Sequence, residues 1–337
     1  MNISNKKILD SFSHCLKYYE PNQKSDHWKK YNTRLNLYKS TNLKNFRNNS
    51  LSQGLDDEFS KKEIENLFNN LNLEEKKFLF KNYKKNNIGN KKHFIKKSKI
   101  KIYGTETFAI KWFKILSEFL PKKKNNILEI GSGFGEFAEI IINNSKNKYV
   151  IIDLPEANIL SAYYLNKNLN NKKIFIISKN KKFFLDKKTF DKFDVMIIPP
   201  WCKIDSKIKF DFIINARSMM EMNKGIIKKY FSLIQSHIKI GGIFLNINRY
   251  LKKTINNKIK ICEFPYDDNW EVVTSKKSWM QNWVHMLIAK RTSMKGNIKN
   301  ELRFLFFYSI KYEIIQLTHE IKIKRKNFLT KKFNIII

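Results

Sequence analysis

An α/β fold, with a mostly parallel sheet, an antiparallel last strand and a helical region ahead of it, is what three observations in the 337-residue sequence predict. An apolar run at 127–130 enters a turn carrying Gly131, Gly133 and Gly135, and Phe137, Ile140 and Ile141 follow at helical spacing. Strand-like and helix-like segments then alternate, the pattern of a parallel sheet covered on both faces. Two last strand-like runs, 270–274 and 283–289, have no helix between them long enough for a crossover, so they pair as an antiparallel hairpin at the sheet edge.

Taken in order, residues 1–100 are rich in lysine and asparagine, with apolar residues at helical rather than alternating spacing. Ser60-Lys61-Lys62-Glu63 has capping-box spacing and opens a helix carrying Ile64, Leu67 and Leu71; Phe78 and Leu79 follow a break near Asn72. This region is a candidate lid over an acceptor. Residues 101–292 form the ligand-binding domain. Its strands fall at 127–130, 149–152, 174–177, 195–198, 211–215 and 243–247, with helices from Pro155 and at 226–238. Residues 293–337 make a cationic tail with aromatic clusters, "LRFLFFYSIKYEIIQL", suited either to packing on the domain as a helix or to peripheral contact with an anionic membrane.

The chain has 66 Lys and Arg against 30 Asp and Glu, a formal net charge of +36. Such a balance usually points to nucleic acid or an anionic surface. Here the excess is mostly lysine spread evenly among Asn, Ile, Phe and Tyr, the signature of an AT-biased coding sequence, so solvated faces explain it first. Cys15, Cys202 and Cys262 are scattered and odd in number, which fits a reducing cytoplasm rather than a disulfide framework. The N-terminus has no apolar signal core, and no apolar stretch is long enough to span a bilayer. A cytoplasmic protein, at most peripheral to the inner face of the membrane, is expected. No His and Asp cluster has usable ligand spacing, so no metal is expected.

The glycine turn excludes two common ligands. A dinucleotide fingerprint needs G-x-G-x-x-G, and Glu136 stands where its third glycine should be. A P-loop needs Gly-Lys-Ser/Thr, which is absent. The pattern present is E/D-x-G-x-G-x-G, Glu129-Ile130-Gly131-Ser132-Gly133-Phe134-Gly135, with Asp153 ending the next strand in "YVIIDLPE". It resembles the S-adenosylmethionine site of Rossmann-like class I methyltransferases, which implies that fold and that cofactor. The amides of Gly131, Ser132, Gly133 and Gly135 can then meet the cofactor's carboxylate at a helix N-terminus, and Glu129 can attract its ammonium group. Asp153, beside Leu154, can accept both ribose hydroxyls. The bland alternative for Asp153 is an acid favoured by the dipole of the helix that Pro155 opens.

Methyl transfer to an alcohol requires alignment and removal of a proton. The acceptor belongs at the carboxyl ends of the fourth and fifth strands, "IINARSMMEMN" and "LNINRYLKK". With "IIDLPEANILSAYYL", "FPYDDNW" and, more weakly, "SDHWKKYN", these segments resemble a family of sugar O-methyltransferases from bacterial surface-polysaccharide loci. The resemblance spans most of residues 100–291 and implies a sugar or sugar-conjugate acceptor, with Asn215, Arg217, Ser218, Arg249, Tyr250 and Trp270 as candidate contacts.

Glu221 holds the family's signature acid and is the first candidate base, although Ser218-Met219-Met220-Glu221 also has capping-box spacing. His285 has a suitable ordinary pKa, but a lone histidine on an apolar strand is more often a core residue. Arg217 and Arg249, at neighbouring strand ends, suit an anionic or nucleotide-linked sugar, or else an ion pair with an acid such as Glu221. Of the tryptophans, Trp201 reads as core and Trp270, in a polar loop, as a stacking surface. "MIIPPW" resembles the motif of amino-directed nucleic-acid methyltransferases, yet Ile198 stands where that motif needs a hydrogen-bond acceptor. No nucleic-acid partner is therefore expected. An RNA or DNA methyltransferase remains the alternative enzyme, and a cationic membrane-surface module without catalysis the alternative of another class.

Overall fold

Runs of Ile, Val, Leu and Tyr fill the middle of one eight-stranded sheet. Its strands are β1 (Asn125–Ile130), β2 (Asn147–Ile152), β3 (Ile174–Ile176), β4 (Val195–Ile198), β5 (Phe210–Ala216), β6 (Ile238–Arg249), β7 (Trp270–Lys277) and β8 (Val284–Arg291). The computed structural model describes residues 3–18, 25–29, 40–48, 59–82, 88–97, 100–121, 123–169, 171–177, 183–254, 257–279 and 281–333. Every residue of β2 and β4 is buried, which is why Tyr149 to Ile152 and Val195 to Ile198 read as continuous apolar runs rather than alternating ones.

Across the sheet the order is β7-β8-β6-β5-β1-β2-β4-β3. β8 runs antiparallel to both neighbours, and the other described pairings are parallel. The order follows from two excursions. From β1 the chain moves outward through β2 to β3 and β4, then returns to lay β5 on the other side of β1. A crevice opens at the carboxyl ends of strands where the winding reverses in this way.

The helices that serve the crevice begin at β-strand ends. They are α5 (Glu136–Asn144) after β1, α6 (Pro155–Asn168) after β2 and α8 (Lys224–His237) after β5; α7 (Lys187–Lys192) precedes β4. Proline at the first position of α6 sets the helical φ and leaves no orphan donor.

Ahead of the sheet lie α1 (Asn5–Leu16), α2 (Lys61–Asn69), α3 (Leu73–Asn82) and α4 (Gly104–Ser117). The capping box of α2 forms: Ser60 N–H donates to the Glu63 carboxylate at 2.8 Å, and Glu63 N–H to Ser60 Oγ at 3.3 Å. Ile64, Phe68, Leu71 and Leu79 build a small core with Ile95, Ile102 and Ile110. At the end of the region read as helical, Ile95–Lys97 is a strand and pairs antiparallel with Ile100–Ile102, which straddles the boundary of that region and whose Ile100 and Ile102 alternate with lysine at the period of a strand. α1 is tied to α6 by Ile3 N–H to Asn166 Oδ1 at 2.9 Å and the reciprocal bond at 2.8 Å.

After β8 comes α9 (Ile298–Phe333), whose Ile298, Leu302, Leu305 and Ser309 are buried against the body. Among the described residues no helix is long and apolar enough to cross a membrane.

Trp270 is fully buried rather than presented in a polar loop. It is the first residue of β7, edge-on to Tyr266 at 5.6 Å and tilted against Phe244 at 6.1 Å. Trp270→Ala is therefore expected to lower unfolding free energy by about 3–5 kcal/mol, whereas Trp283→Ala, at a residue 43% exposed, should cost about 1 kcal/mol or less. Urea denaturation midpoints of the two variants check this, and equal losses would contradict the placement.

Candidate functional site

Gly131, Gly133 and Gly135 have φ values of +78°, +60° and +92°, in the left-handed region that side chains resist. The turn is drawn onto the end of β2 by Gly131 N–H to Ile152 O at 2.8 Å and Gly133 N–H to Asp153 Oδ2 at 2.9 Å. A Cβ on Gly131 would overlap the Ser218 hydroxyl, so this glycine also lets the loop after β5 close in. Gly135 does different work. It caps α5 and faces α6, where a Cβ would come within 3.2–3.3 Å of Leu165 and Ser161; it does not line the cavity.

Glu129, Gly131, Ser132, Gly133, Asp153 and Leu154 line one wall of a cavity at the switch point. Glu129 is buried and accepts a hydrogen bond from Tyr149 Oη at 2.9 Å. Burial pushes its carboxyl up from 4.5 to about 8, against the pull of the Tyr149 hydroxyl. Burial likewise raises Asp153 from 3.8 to about 7, opposed by the Leu154 and Gly133 amides on its two oxygens. Glu136 adds a third acid to the lining and lies 3.6 Å from the buried Arg47 guanidinium. This wall concentrates acidic groups away from water, an arrangement that favours a cationic ligand.

The opposite wall is the loop after β5. Arg217 takes φ of +69°, a conformation rare for a side-chain-bearing residue, and its N–H donates to Ile247 O at 2.7 Å. Its guanidinium lies over the Phe108 ring, 5.7 Å from the centroid. Arg217, Ser218 and Glu221 all line the cavity. Ser218 makes no capping bond to the short turn Met219–Glu221; its hydroxyl donates to Ile130 O at 3.0 Å and accepts from Asn215 Nδ2 at 2.5 Å. The capping box suggested by the spacing is therefore not formed. Glu221 lies 3.9 Å from Lys252 Nζ.

Besides Gly135, five candidates sit elsewhere. Asn215 is fully buried as a strut: its Nδ2 donates to Ile130 O at 2.8 Å, and its Oδ1 accepts from Met219 N and Asn248 Nδ2. Asn248 in turn holds Met220 N at 3.0 Å and donates to Asn246, so three buried asparagines fix the loop after β5. His285 is buried between Tyr250 Oη (2.9 Å) and Ser275 Oγ (2.8 Å), and burial pushes its pKa down to about 4; it is a core histidine, not a base beside the cavity. Tyr250 is stacked between Tyr308 and Tyr312 of α9. Arg249 lies over Trp283 at 5.9 Å, and neither it nor Trp270 lines the cavity with Arg217.

Residues that the sequence did not single out complete the enclosure: Ser25 and Trp28 from the N-terminal region, Thr105, Phe108 and Trp112 from α4, and Tyr230 from α8. The only signal for the first pair was the segment "SDHWKKYN", of which the last three residues lie outside the described part. Among the described residues no group of three His, Cys, Asp or Glu could hold a metal ion.

No protein-family model and no curated protein sequence matches the chain. Solved structures share part of its architecture. The PH0226 protein from Pyrococcus horikoshii OT3 is similar over 57% of this chain and 92% of its own, at 11% identity and a TM-score of 0.40. The glycopeptide N-methyltransferase MtfA, complexed with sinefungin, is similar over 56% of this chain and 87% of its own, at 9% identity and a TM-score of 0.35. The mitomycin 7-O-methyltransferase MmcR is similar over 56% of this chain and 57% of its own, at 11% identity and a TM-score of 0.34. At these values none of the three fixes what this chain binds or methylates.

The raised carboxyl of Glu129 has a thermodynamic consequence. A group whose folded pKa lies above its unfolded value stabilises fully below the unfolded value, near 4.5, and loses that contribution as pH climbs through about 8. The melting temperature of Glu129→Gln minus that of the unsubstituted protein should therefore rise between pH 5 and pH 8. Thermal melts without added ligand test it; parallel profiles would show that Glu129 is not desolvated.

Proposed function

We propose that the protein is an S-adenosylmethionine-dependent O-methyltransferase whose acceptor is a sugar hydroxyl. The observation that carries this reading is the meeting, in one cavity at the switch point, of the glycine turn with Glu129 and Asp153 on one wall and Arg217 and Glu221 on the other. The chain's own residues fit the cofactor. Ser132 Oγ is buried without a hydrogen-bond partner among the described residues, whereas the amides of Gly131, Gly133 and Gly135 already donate to Ile152 O, Asp153 Oδ2 and Ser132 O, so the cofactor's carboxylate would have to be met by Ser132 rather than by those amides. Each oxygen of Asp153 already accepts one amide bond and retains a lone pair for a ribose hydroxyl. A bound ammonium group would favour the ionised form of Glu129.

When bound, S-adenosylmethionine supplies an electrophilic methyl group for in-line displacement by the acceptor oxygen. Glu221 takes the hydroxyl proton. Arg217, held over Phe108, orients an acceptor bearing a carboxylate or phosphate, such as an acidic or nucleotide-linked sugar. Trp28 and Phe108 provide apolar faces against which a sugar ring packs and from which water is excluded. Surface polysaccharide biosynthesis in a bacterium is the setting that the sequence resemblance supports. The proline-proline-tryptophan segment after β4 offers little support to base methylation, since Ile198 through Trp201 do not line the cavity.

Calorimetry with S-adenosylmethionine should show measurable binding that is lost or strongly weakened in Gly133→Val and Asp153→Ala; unaltered affinity in both folded variants would refute the cofactor assignment. Mass spectrometry of surface glycans from cells with and without the gene should show loss of an O-methyl group. Unchanged glycans together with a lost tRNA, rRNA or DNA methyl mark would assign the enzyme to nucleic acid.

Glu221→Gln keeps the shape of the side chain and removes the proton acceptor. A positioned base contributes roughly 10²- to 10⁴-fold to such a step. This variant should fold and bind cofactor normally and turn over at least ~100-fold more slowly. Turnover within a few-fold of the unsubstituted enzyme would remove Glu221 from the chemistry.

A further inference from the structure

We propose that the outward face of α9 docks the protein onto an anionic bilayer surface. One side of the helix, Ile298, Leu302, Leu305 and Ser309, is consumed by the body, where Ser309 Oγ donates to Tyr250 O at 3.0 Å. A second row, Phe307, Ile310, Ile314, Leu317 and Ile321, recurs at spacings of three and four residues and so lies along one face. It begins two residues after Leu305, about 200° around the helix, on the side away from the body. The row is exposed: Phe307 by 68%, Ile314 by 58% and Ile321 by 65%.

Charge is segregated in the same way. Glu301, Glu313 and Glu320 are the acids of residues 298–323, and each is turned to the body. Glu301 accepts from Ser275 Oγ at 2.5 Å, Glu313 pairs with Lys258 and Lys260 at 2.7 and 2.8 Å, and Glu320 pairs with Lys253 at 2.7 Å. Arg303, Lys311 and Lys322 are exposed. The outward side thus offers large apolar groups and cations with no acid, complementary to a surface that is apolar beneath a negative headgroup layer. The same three-four spacing could seat a second helix. A second copy of this chain, however, would set like faces, each cationic, against one another on molecules carrying +36 apiece.

Co-sedimentation of the full chain with vesicles tests this, using phosphatidylcholine alone and phosphatidylcholine mixed with phosphatidylglycerol. Binding is expected to the mixed vesicles and to be weak on phosphatidylcholine. The variant Phe307→Ser/Ile314→Ser/Ile321→Ser keeps every charge and should lose at least ~10-fold in partitioning. Arg303→Glu/Lys311→Glu/Lys322→Glu should lose a similar amount while keeping the apolar row. Circular dichroism melts of both variants confirm folding, which is expected because all six positions are exposed. Absence of binding, or equal binding by the serine variant, would overturn the proposal, the latter by tracing attraction to diffuse charge. A concentration-dependent dimer in sedimentation velocity, abolished by the serine variant, would assign the face to a second copy and overturn it as well.

Discussion

Everything at the site depends on a backbone constraint: three left-handed residues within five positions between β1 and α5. Each residue without a Cβ lets the chain reverse in less space than a right-handed path requires. The reversal brings Gly133 N–H to Asp153 on the neighbouring strand, and the missing side chain of Gly131 lets Ser218 approach from the other neighbour. A single turn therefore joins the ends of β1, β2 and β5. Had Gly131 carried a side chain, Ser218 could not have approached it as closely as it does, and the two walls of the cavity would stand further apart.

The acceptor wall is fixed by a second device. Asn215, Asn246 and Asn248 are buried across β5 and β6 and satisfy one another, Tyr266 Oη and the amides of Met219 and Met220. Buried polar groups of this kind are costly unless every partner is in place, which gives such networks one preferred geometry. The network fixes the loop backbone just after Arg217, a residue that itself stands in a strained conformation. Strain at a lining residue is sustainable only where its surroundings over-determine the backbone. Here the Ile247 carbonyl and the asparagines supply that restraint.

Electrostatics and burial act in opposition around the cavity. Glu129, Glu136 and Asp153 are brought together out of water, and burial, reinforced by neighbouring acids, drives Glu129 and Asp153 toward their neutral forms. A cation entering such a site gains an interaction that the ligand-free protein lacks. The far edge of the sheet shows the same physics with the opposite outcome: His285, enclosed by Tyr250 and Ser275 beneath α9, is held neutral and takes no part in the cavity.

The sequence by itself determined the order of strand, glycine turn, helix and strand, the antiparallel ending at β8 and the capping box at Ser60. These depend on periodicity and on the chirality of glycine, which are local. The turn's alignment with Asp153 was equally legible, since adjacent parallel strands bring consecutive strand ends together. What each side chain faces was decided only by tertiary structure. Gly135 belongs to the same motif as Gly131 yet serves helix packing, because the direction of α6 relative to α5 is not written in the turn. Trp270, Tyr250 and His285 look like site residues at strand ends, but Tyr266 and Phe244 enclose Trp270, tyrosines of α9 stack on Tyr250, and Tyr250 and Ser275 enclose His285. Ser25 and Trp28 line the cavity from the N-terminal region, and a strand forms at Ile95–Lys97 where helical spacing is expected. Burial is a property of what packs on top, and the covering elements come from distant parts of the chain that no local pattern can register.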